Sequence, residues 1–470
     1  MTVRVEADPG SFRDPSSRVF EIEGRIVRGL DEKTAADFAE LEATGFYREL
    51  LDGGAIVETR RLSAEDPIAR AIRSRGWSAA VEHTRLPLIS YPYEWPFSML
   101  KDAALLHLHL LEAGFAEGWT LKDATPYNVQ FVGAAPVFID VPSFVRRAPN
   151  EPWLAYRQFC MLFLYPLMLK AHLGIDFQGA LRADLDGLTP VEAARYFLGS
   201  ARFKKGVLSH VIFPAAMERR VEAAESDRAP ARKRSMRQSD LLVRSLLSGM
   251  RRLVEALDVP LRHTAWSQYA KLHSYEEQDV RLKEEFVRKW TDALRPDTVW
   301  DLGGNTGAFS RICSEYCNRV VTVDGDYDSV EALYWAEKRD GGRKILPLVM
   351  NLANISPSQG WGGKERAAFD QRNRPKLVLC LALIHHMALA ANVPISLFLG
   401  WLATLGANVI IEFVDRRDEM VTKLLANKTE RYPDYHRNTF ESELGERFLI
   451  RDSIPLKGGL RQLYYCETPA

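Results

Sequence analysis

The sequence has little cysteine, no excess of either charge and no long hydrophobic run. The cysteines are Cys160, Cys313, Cys317, Cys380 and Cys466, 5 among 470 residues. Their spacing fits neither a redox CxxC pair nor a set of zinc ligands, so we expect reduced thiols. The 62 basic residues equal the 62 acidic ones, which argues against bulk binding of nucleic acid.

The apolar runs are too short for a membrane span. The most hydrophobic, FCMLFLYPLML at 159–169, is interrupted by Pro166, and about 20 residues are needed to cross a bilayer. This run predicts a buried helix. The N-terminus also has neither the basic start nor the apolar core of a secretory signal. We therefore expect a cytoplasmic protein; the sequence does not indicate its oligomeric state.

The length and a change of pattern predict two domains, 1–262 and 263–470. The first is expected to be an α+β, mostly helical domain with a mobile charged loop near 218–240, a stretch that offers little to bury. The second is expected to be α/β, because apolar strands alternate with helices from Thr298 onward. Its strand candidates are TVWDLGG, RVVTVDGD, KILPLVMNL, KLVLCLALI and NVIIEFV. The tail, RFLIRDSIPLKGGLRQLYYCE, predicts an antiparallel hairpin.

In the first domain the pattern predicts a strand at RIVRGL, one helix through AADFAELEATGFYRELLDGG and another at FSMLKDAALLHLHLLEAGF. Two short strands around a Gly turn are expected in VQFVGAAPVF. A closing helix is expected to bury one face. The residues assigned to that face are Leu242, Leu246, Met250, Leu253 and Leu257.

A glycine-rich turn follows the first strand of the second domain, in VWDLGGNTGAFS at 299–310. It places Asp301, Gly303, Asn305 and Gly307 between a strand and a helix. Glycines allow a ligand to approach the backbone, and a helix N-terminus favours a carboxylate there. A dinucleotide fingerprint would have its third Gly further along, so NAD binding is the lesser interpretation.

Further candidate binding residues follow the next three strands. The second strand ends at Asp324, where a carboxylate can accept hydrogen bonds from ribose hydroxyls. Asn351 and Leu352 follow the third strand, and Leu381 follows the fourth. With the closing hairpin, this order resembles class I methyltransferases, which implies S-adenosylmethionine as cofactor. The binding residues that the resemblance implies are Asp301, Gly303, Asn305, Gly307, Asp324, Asn351, Leu352 and Leu381.

Two histidines, His385 and His386, follow the fourth strand, whose end lies beside the sulfonium in methyltransferases of this class. Either could be a general base for a hydroxyl or amine, because the histidine pKa lies near working pH. A structural role for each is an equal alternative. Glu412 and Asp415, after the fifth strand, are candidates for substrate binding or for capping the next helix.

The segments LALIHHM, IEFVDRRDEMV and FESELGERF resemble the methyltransferase family that contains the host-specific nodulation protein NoeA. The resemblance extends into the N-terminal half through YPYEW and LKDATPYNVQF. Nodulation itself is not carried over to this chain.

The N-terminal segments LKDATPYNVQF and PVFID resemble the catalytic and metal loops of kinase-like proteins, especially aminoglycoside phosphotransferases. The resemblance implies that Asp123 orients an acceptor hydroxyl and that Asn128 and Asp140 hold Mg²⁺ on ATP. YPYEW would then be the hinge between lobes. There is no Gly-rich loop or assigned strand lysine, and Leu121 replaces a polar residue. These departures favour a degenerate kinase-like domain; alternatively Asp123 and Asn128 organise a turn.

The sequence thus predicts an S-adenosylmethionine-dependent methyltransferase that acts on a hydroxyl or amine of a small molecule or saccharide. One alternative is a bifunctional kinase-methyltransferase that also uses ATP and Mg²⁺. Another is a non-catalytic protein that uses the cofactor fold as a binding scaffold.

Overall fold

The computed structural model describes residues 5–225, 237–260, 277–426, 428–429 and 432–469. The chain divides into two compact units. The first unit comprises 1–131, 136–260 and 359–366, and the second comprises 132–135, 261–358 and 367–470. The domain boundary expected at 262/263 falls outside the described residues.

The first unit contains a five-stranded antiparallel sheet in the order β1-β2-β3-β5-β4. Its strands are β1 Glu6–Ala7, β2 Ser17–Ile22, β3 Arg25–Leu30, β4 Thr59–Arg61 and β5 Ala79–His83. Alternate apolar residues of β2 and β3, including Phe20, Ile22 and Val27, pack against Ile68 and Ile72 in one buried cluster. The strand expected at RIVRGL is thus confirmed.

The single helix expected at 35–54 is two helices. The first is α1 Glu32–Leu41 and the second is α2 Gly45–Asp52. Between them Thr44 has an extended conformation, and its side chain accepts a hydrogen bond from the Tyr47 backbone. A threonine in this position is a favourable N-cap, so its local hydrogen bond outweighs the continuous helical periodicity.

The first unit contains eight further α-helices in its described residues, of which α4 is the longest. The α-helices are α3 Pro67–Arg73, α4 Phe97–Ala116, α5 Tyr156–Phe159, α6 Tyr165–Met168, α7 Gln178–Ala183, α8 Pro190–Tyr196, α9 Phe213–Glu225 and α10 Asp240–Ala256. Wider π-helical turns adjoin some of them: Cys160–Leu164 joins α5 to α6, Leu169–Leu173 follows α6, and Leu208–Ile212 precedes α9. The buried helix expected at 159–169 is confirmed. In the described part of the chain, no helix combines the length and apolar character that a membrane span requires.

Two expectations for the later helices are wrong in part. The loop expected near 218–240 is helical over 218–225, within α9. Residues 237–239 are not helical, α10 begins at Asp240, and 226–236 lie outside the described residues. The buried face of α10 includes Val243 and Leu247, whereas Leu242 is exposed. Met250, Leu253 and Leu257 are buried as expected. The prediction therefore fails only at the start of the helix, where consecutive leucines made two faces consistent with the sequence and packing buried Leu247 in place of Leu246.

Four short strands lie between α4 and α5. They are β6 Trp119–Leu121, β7 Val129–Val132, β8 Ala135–Phe138 and β9 Phe144–Arg146. Strand β6 pairs with β9, and β7 pairs with β8 around the expected Gly turn.

The second unit contains a seven-stranded sheet in the order β12-β11-β10-β13-β14-β16-β15. Its strands are β10 Thr298–Leu302, β11 Arg319–Asp324, β12 Ile345–Val349, β13 Leu377–Cys380, β14 Asn408–Val414, β15 Leu449–Leu456 and β16 Arg461–Glu467. Its helices are α11 Glu277–Leu294, α12 Ala308–Ser314, α13 Tyr327–Arg339, α14 Ile395–Thr404, α15 Glu419–Leu425 and α16 Arg437–Gly445. The expected α/β class, strand candidates and antiparallel hairpin are confirmed.

The strand order reverses at β10, which pairs in parallel with β11 on one side and with β13 on the other. Connections from β10 and β13 therefore leave the sheet in opposite directions and open a crevice at the carboxyl edge, where α/β proteins collect ligands. All five residues of β10 are buried, as expected for a parallel strand covered on both faces.

Candidate functional site

The turn between β10 and α12 has a backbone that favours glycine. Gly303, Asn305 and Gly307 have φ values of 75°, 50° and 78°, in the left-handed region that ordinary side chains disfavour. The Gly303 N–H donates to the Val323 carbonyl at 2.8 Å. The turn is thus attached to the end of the neighbouring strand β11.

Gly304 is required for a different reason, which the sequence interpretation missed. A Cβ atom at this position would lie 2.8 Å from Asp301 Oδ2 and closer still to Thr322 Cγ2. Both contacts are below the van der Waals limit, so the space beneath the turn excludes any side chain.

Asp301 lies beneath the turn in the interior of the unit. Its Oδ2 accepts a hydrogen bond from Ser310 Oγ at 2.6 Å, and Ser310 Oγ lies 2.6 Å from Thr322 Oγ1. Burial raises the pKa of Asp301 to about 6. These contacts support the shape of the turn; direct contact between Asp301 and a cofactor stays a prediction.

Asp324 is partly exposed at the end of β11. Its two carboxylate oxygens accept hydrogen bonds from the backbone N–H groups of Asn305 and Asp326, each at 2.8 Å. Each carboxylate oxygen can accept more than one hydrogen bond, so this geometry is compatible with additional hydroxyl donors. Burial raises the pKa of Asp324.

The two residues expected beside an adenine follow β12. Asn351 is exposed, and its Oδ1 accepts from the Ala353 N–H at 2.9 Å, which caps the short 3₁₀ turn Leu352–Asn354. The Met350 N–H donates to the Asp324 carbonyl at 2.8 Å. The ends of β11 and β12 therefore lie side by side, as the expected site requires.

The loop after β13 lies against the glycine turn. A Cβ atom at Gly303 would be 3.3 Å from Leu383 Cδ1, and Ala382 has a left-handed φ of 50°. Leu381, expected to bind cofactor, has its side chain within the apolar core cluster. The structure thus brings the loop and the turn together, with Leu383 as an additional contact that the sequence interpretation did not include.

His385 and His386 are adjacent, with ring centroids 4.2 Å apart. His385 is fully buried, and in the described residues neither of its ring nitrogens has a hydrogen-bond partner. Burial lowers its pKa well below the usual value, assisted by His386, Arg461 and Lys283 and opposed by Asp418. His386 is partly exposed, and burial also lowers its pKa. Neutral imidazole is the form that can accept a proton.

Neither role considered for Glu412 is the one the structure shows. Glu412 is buried, and its Oε2 accepts a hydrogen bond from Lys283 Nζ at 2.6 Å. The next helix, α15, is capped by Asp418, which accepts from the Met420 N–H. Asp415 instead accepts from Arg417 Nε at 2.9 Å. A carboxylate this deeply buried requires a cationic partner, which the distant α11 supplies.

In the first unit the three predicted polar residues lie together. Asn128 Nδ2 donates to Asp123 Oδ1 at 3.0 Å and to Asp140 Oδ2 at 3.3 Å. Arg28 of β3 forms an ion pair with Asp140, a partner that the sequence interpretation missed. Burial, and secondly the charge of Asp140, raise the pKa of Asp123 to about 7.

The segments that resemble kinase-like proteins can be compared with the structure around them. The connection between β2 and β3 is the two-residue turn Glu23–Gly24, and Leu121 is buried. In YPYEW, buried Glu94 accepts from the Tyr91 N–H at 2.9 Å. Within the described ranges, no group of three or more His, Cys, Asp and Glu could hold a metal ion. The Mg²⁺ and ATP assignment stays a prediction.

Known proteins resemble this chain to different extents. No family model matches it. It is 32% identical over 461 residues to the nodulation protein NoeA of Rhizobium meliloti (strain 1021), covering 97% of this chain and 95% of that protein. The match therefore extends through both units.

Solved methyltransferase structures were also found. The N-methyltransferase NodS of Bradyrhizobium japonicum WM9 is 10% identical, with 42% of this chain and 99% of that chain covered and a TM-score of 0.31. The magnesium protoporphyrin IX methyltransferase of Synechocystis PCC 6803 with bound S-adenosylhomocysteine is 16% identical, with 41% and 84% covered and a TM-score of 0.30.

We predict that Gly304→Ala destabilises the second unit by about 1–3 kcal/mol, because its Cβ atom would overlap Asp301 and Thr322. Urea denaturation would measure the free energy of unfolding. Gly325→Ala is a matched control, since the nearest atom to its Cβ would be 3.8 Å away. Equal stability of the two variants would contradict the steric explanation.

We predict that Asp123→Asn increases stability more at pH 8 than at pH 5. The folded state keeps the Asp123 proton up to a pKa of about 7, whereas the ordinary value is 3.8. Its contribution to stability is therefore lost as pH rises through this window, and asparagine avoids that loss. Melting temperatures across pH would measure it.

Asp14 provides a control of opposite sign. Burial raises its pKa, but hydrogen bonds from Lys122 and Ser16 outweigh burial and lower the pKa to about 2. Its stabilisation is present above the unfolded pKa and disappears as pH falls towards 2. Asp14→Asn should therefore be destabilising at pH 8. If both variants shifted the melting temperature in the same direction at this pH, the assignment would be wrong.

Proposed function

We propose that this chain, which belongs to the NoeA family, is an S-adenosylmethionine-dependent methyltransferase with its cofactor site in the second unit. The observation that carries the proposal is the glycine turn at 303–307, whose Asn305 N–H is bonded to Asp324 at the point where the strand order reverses. This arrangement exposes backbone next to a strand-end carboxylate in the crevice where α/β proteins bind ligands.

Each part of the cofactor has a candidate partner. Asp324 would accept hydrogen bonds from the ribose hydroxyls, and Asn351 and Leu352 at the end of β12 would contact the adenine. The turn from Gly303 to Gly307 would receive the methionine portion, because its glycines allow a ligand to approach the backbone. Asp301 would act from beneath by holding this turn.

The cofactor, when bound, supplies an activated methyl group on sulfur. Transfer then depends mainly on alignment of the acceptor. We assign proton acceptance to Nδ1 or Nε2 of His386, which is neutral at physiological pH and partly exposed. His385 lies behind it and is fully buried. The proposed acceptor is a hydroxyl or amine of a small molecule or saccharide.

The ion pair between Arg28 and Asp140 favours a degenerate kinase-like role for the first unit over a bifunctional enzyme. Arg28 already neutralises Asp140, so Mg²⁺ would have to displace a guanidinium from its carboxylate. We therefore propose that this unit positions the acceptor or a partner without transferring phosphate.

Calorimetric titration with S-adenosylhomocysteine, followed by ATP with Mg²⁺, tests these assignments. Binding of the first alone is expected. Binding of both would support the bifunctional alternative, and absence of S-adenosylhomocysteine binding would overturn the proposed function. Binding without methyl transfer to any small-molecule or saccharide fraction would favour the non-catalytic scaffold.

We predict that Asp324→Ala weakens S-adenosylhomocysteine binding about 10- to 100-fold, because hydrogen bonds to a charged group contribute about 1.5–3 kcal/mol. Calorimetry would measure the affinity, and circular dichroism would verify the fold. Asp340→Ala is the control, since Asp340 is an exposed residue paired only with its neighbour Arg339 among the contacts described. Unchanged affinity in Asp324→Ala would disprove the ribose assignment.

We predict that His386→Asn slows methyl transfer by a factor of about 10² or more, the size expected for a lost general base, while S-adenosylhomocysteine affinity changes little. Transfer of a labelled methyl group from S-adenosylmethionine to small-molecule and saccharide fractions would measure the rate. His436→Asn, at an exposed histidine, is the control. Equal losses in rate and affinity would instead indicate a structural histidine.

A further inference from the structure

We propose that Glu412 is a positioning residue: held by Lys283 and Arg461, it fixes the loop at 381–386 against the glycine turn. The contacts belong to the folded chain itself. The consequence for the cofactor rests on the proposed function, because it assumes that this turn and loop form the cofactor site.

Glu412 makes contacts to three different parts of the second unit. It lies one residue beyond Ile411, which pairs with Cys380 at the end of β13. Its Oε2 accepts hydrogen bonds from the Ala382 N–H at 2.9 Å and from Lys283 Nζ at 2.6 Å. Its Oε1 lies 3.5 Å from Arg461 Nη1. One carboxylate therefore joins α11, the loop after β13 and β16.

Charged side chains surround this carboxylate inside the unit. Arg461 is fully buried and also binds Asp418, with Nε 2.9 Å from Oδ2. Burial lowers the pKa of Lys283, and Glu412 opposes that effect. Lys457 Nζ also lies 3.1 Å from Asp418 Oδ2, so three cations contact these two carboxylates. Such a cluster is costly to break by removing one member, although replacing a whole pair by neutral residues can leave stability unchanged.

The hydrogen bond to Ala382 acts at a strained position. Ala382 has a φ of 50°, and such a conformation persists in a non-glycine residue only when its surroundings hold it. The next residue, Leu383, is the one that lies against Gly303, and His385 and His386 follow. A change in the Ala382 backbone would therefore move both the Leu383 side chain that lies against Gly303 and the two histidines.

Two double variants that leave the net charge unchanged separate positioning of the loop at 381–386 from general stabilisation of the unit. Lys283→Met with Glu412→Gln removes one charge of each sign and keeps an oxygen that can accept from Ala382. Lys283→Met with Glu412→Leu removes the same charges but also that acceptor. Both leave Arg461 with Asp418. The Leu variant also loses the oxygen that lies 3.5 Å from Arg461 Nη1, so hydrogen exchange in the loop itself is the readout that reports the hydrogen bond to Ala382.

Three measurements on the full chain would compare them. These are hydrogen exchange of the peptide 380–388, calorimetric titration with S-adenosylhomocysteine, and urea denaturation. We expect exchange in this peptide to be at least 10-fold faster in the Leu variant than in the Gln variant. We also expect at least 10-fold weaker S-adenosylhomocysteine binding, with closely similar unfolding midpoints.

Thr291→Val controls for general loosening of the same helix, because the buried Thr291 Oγ1 donates to the Val287 carbonyl at 2.8 Å within α11. It should leave exchange at 380–388 unchanged. Equal exchange of this peptide in the two double variants would overturn the positioning role. If the wild-type chain bound no S-adenosylhomocysteine, the proposed function would fail, and the exchange comparison would still decide the role of Glu412.

Discussion

The parallel pairing of β10 with β11 on one side and β13 on the other determines where the parts of the proposed cofactor site meet. Because the strand order reverses there, the segments that follow these strands meet at the same edge. The Gly303–Gly307 turn, Asp324 and the loop with the two histidines all derive their proximity from this pairing. Local sequence supplies each part, and strand pairing brings the parts together.

Four carboxylates of the described residues have different partners, and those partners separate their roles. Asp301 is held by a hydroxyl and remains beneath the turn. Glu412 has a lysine partner and connects distant elements. Asp140 has an arginine partner in the first unit. Asp324, by contrast, is bonded only by backbone N–H groups in the contacts described, and its partial exposure favours it as the ligand-binding carboxylate.

The family relationship and the site address different questions. The match to NoeA extends over nearly the whole chain and therefore includes the first unit, where Asp123, Asn128 and Asp140 are clustered. The phosphotransferase site predicted from the sequence would need Asp140 for Mg²⁺, but Arg28 is already bound to Asp140. This ion pair is the reason that a positioning role, and not phosphate transfer, is proposed for the first unit.

The sequence by itself determined the strands of the second unit, its closing hairpin and the position of Asp324, because hydrophobic periodicity and turn residues are local signals. Tertiary structure alone decided the partners of these charged side chains: Lys283 and Glu412 are 129 residues apart, and Arg28 and Asp140 are 112 apart. It also decided that Gly304 needs space, since the atoms that exclude a side chain there come from the neighbouring strand and from beneath the turn. No local pattern encodes such contacts, because they arise only when distant segments pack together.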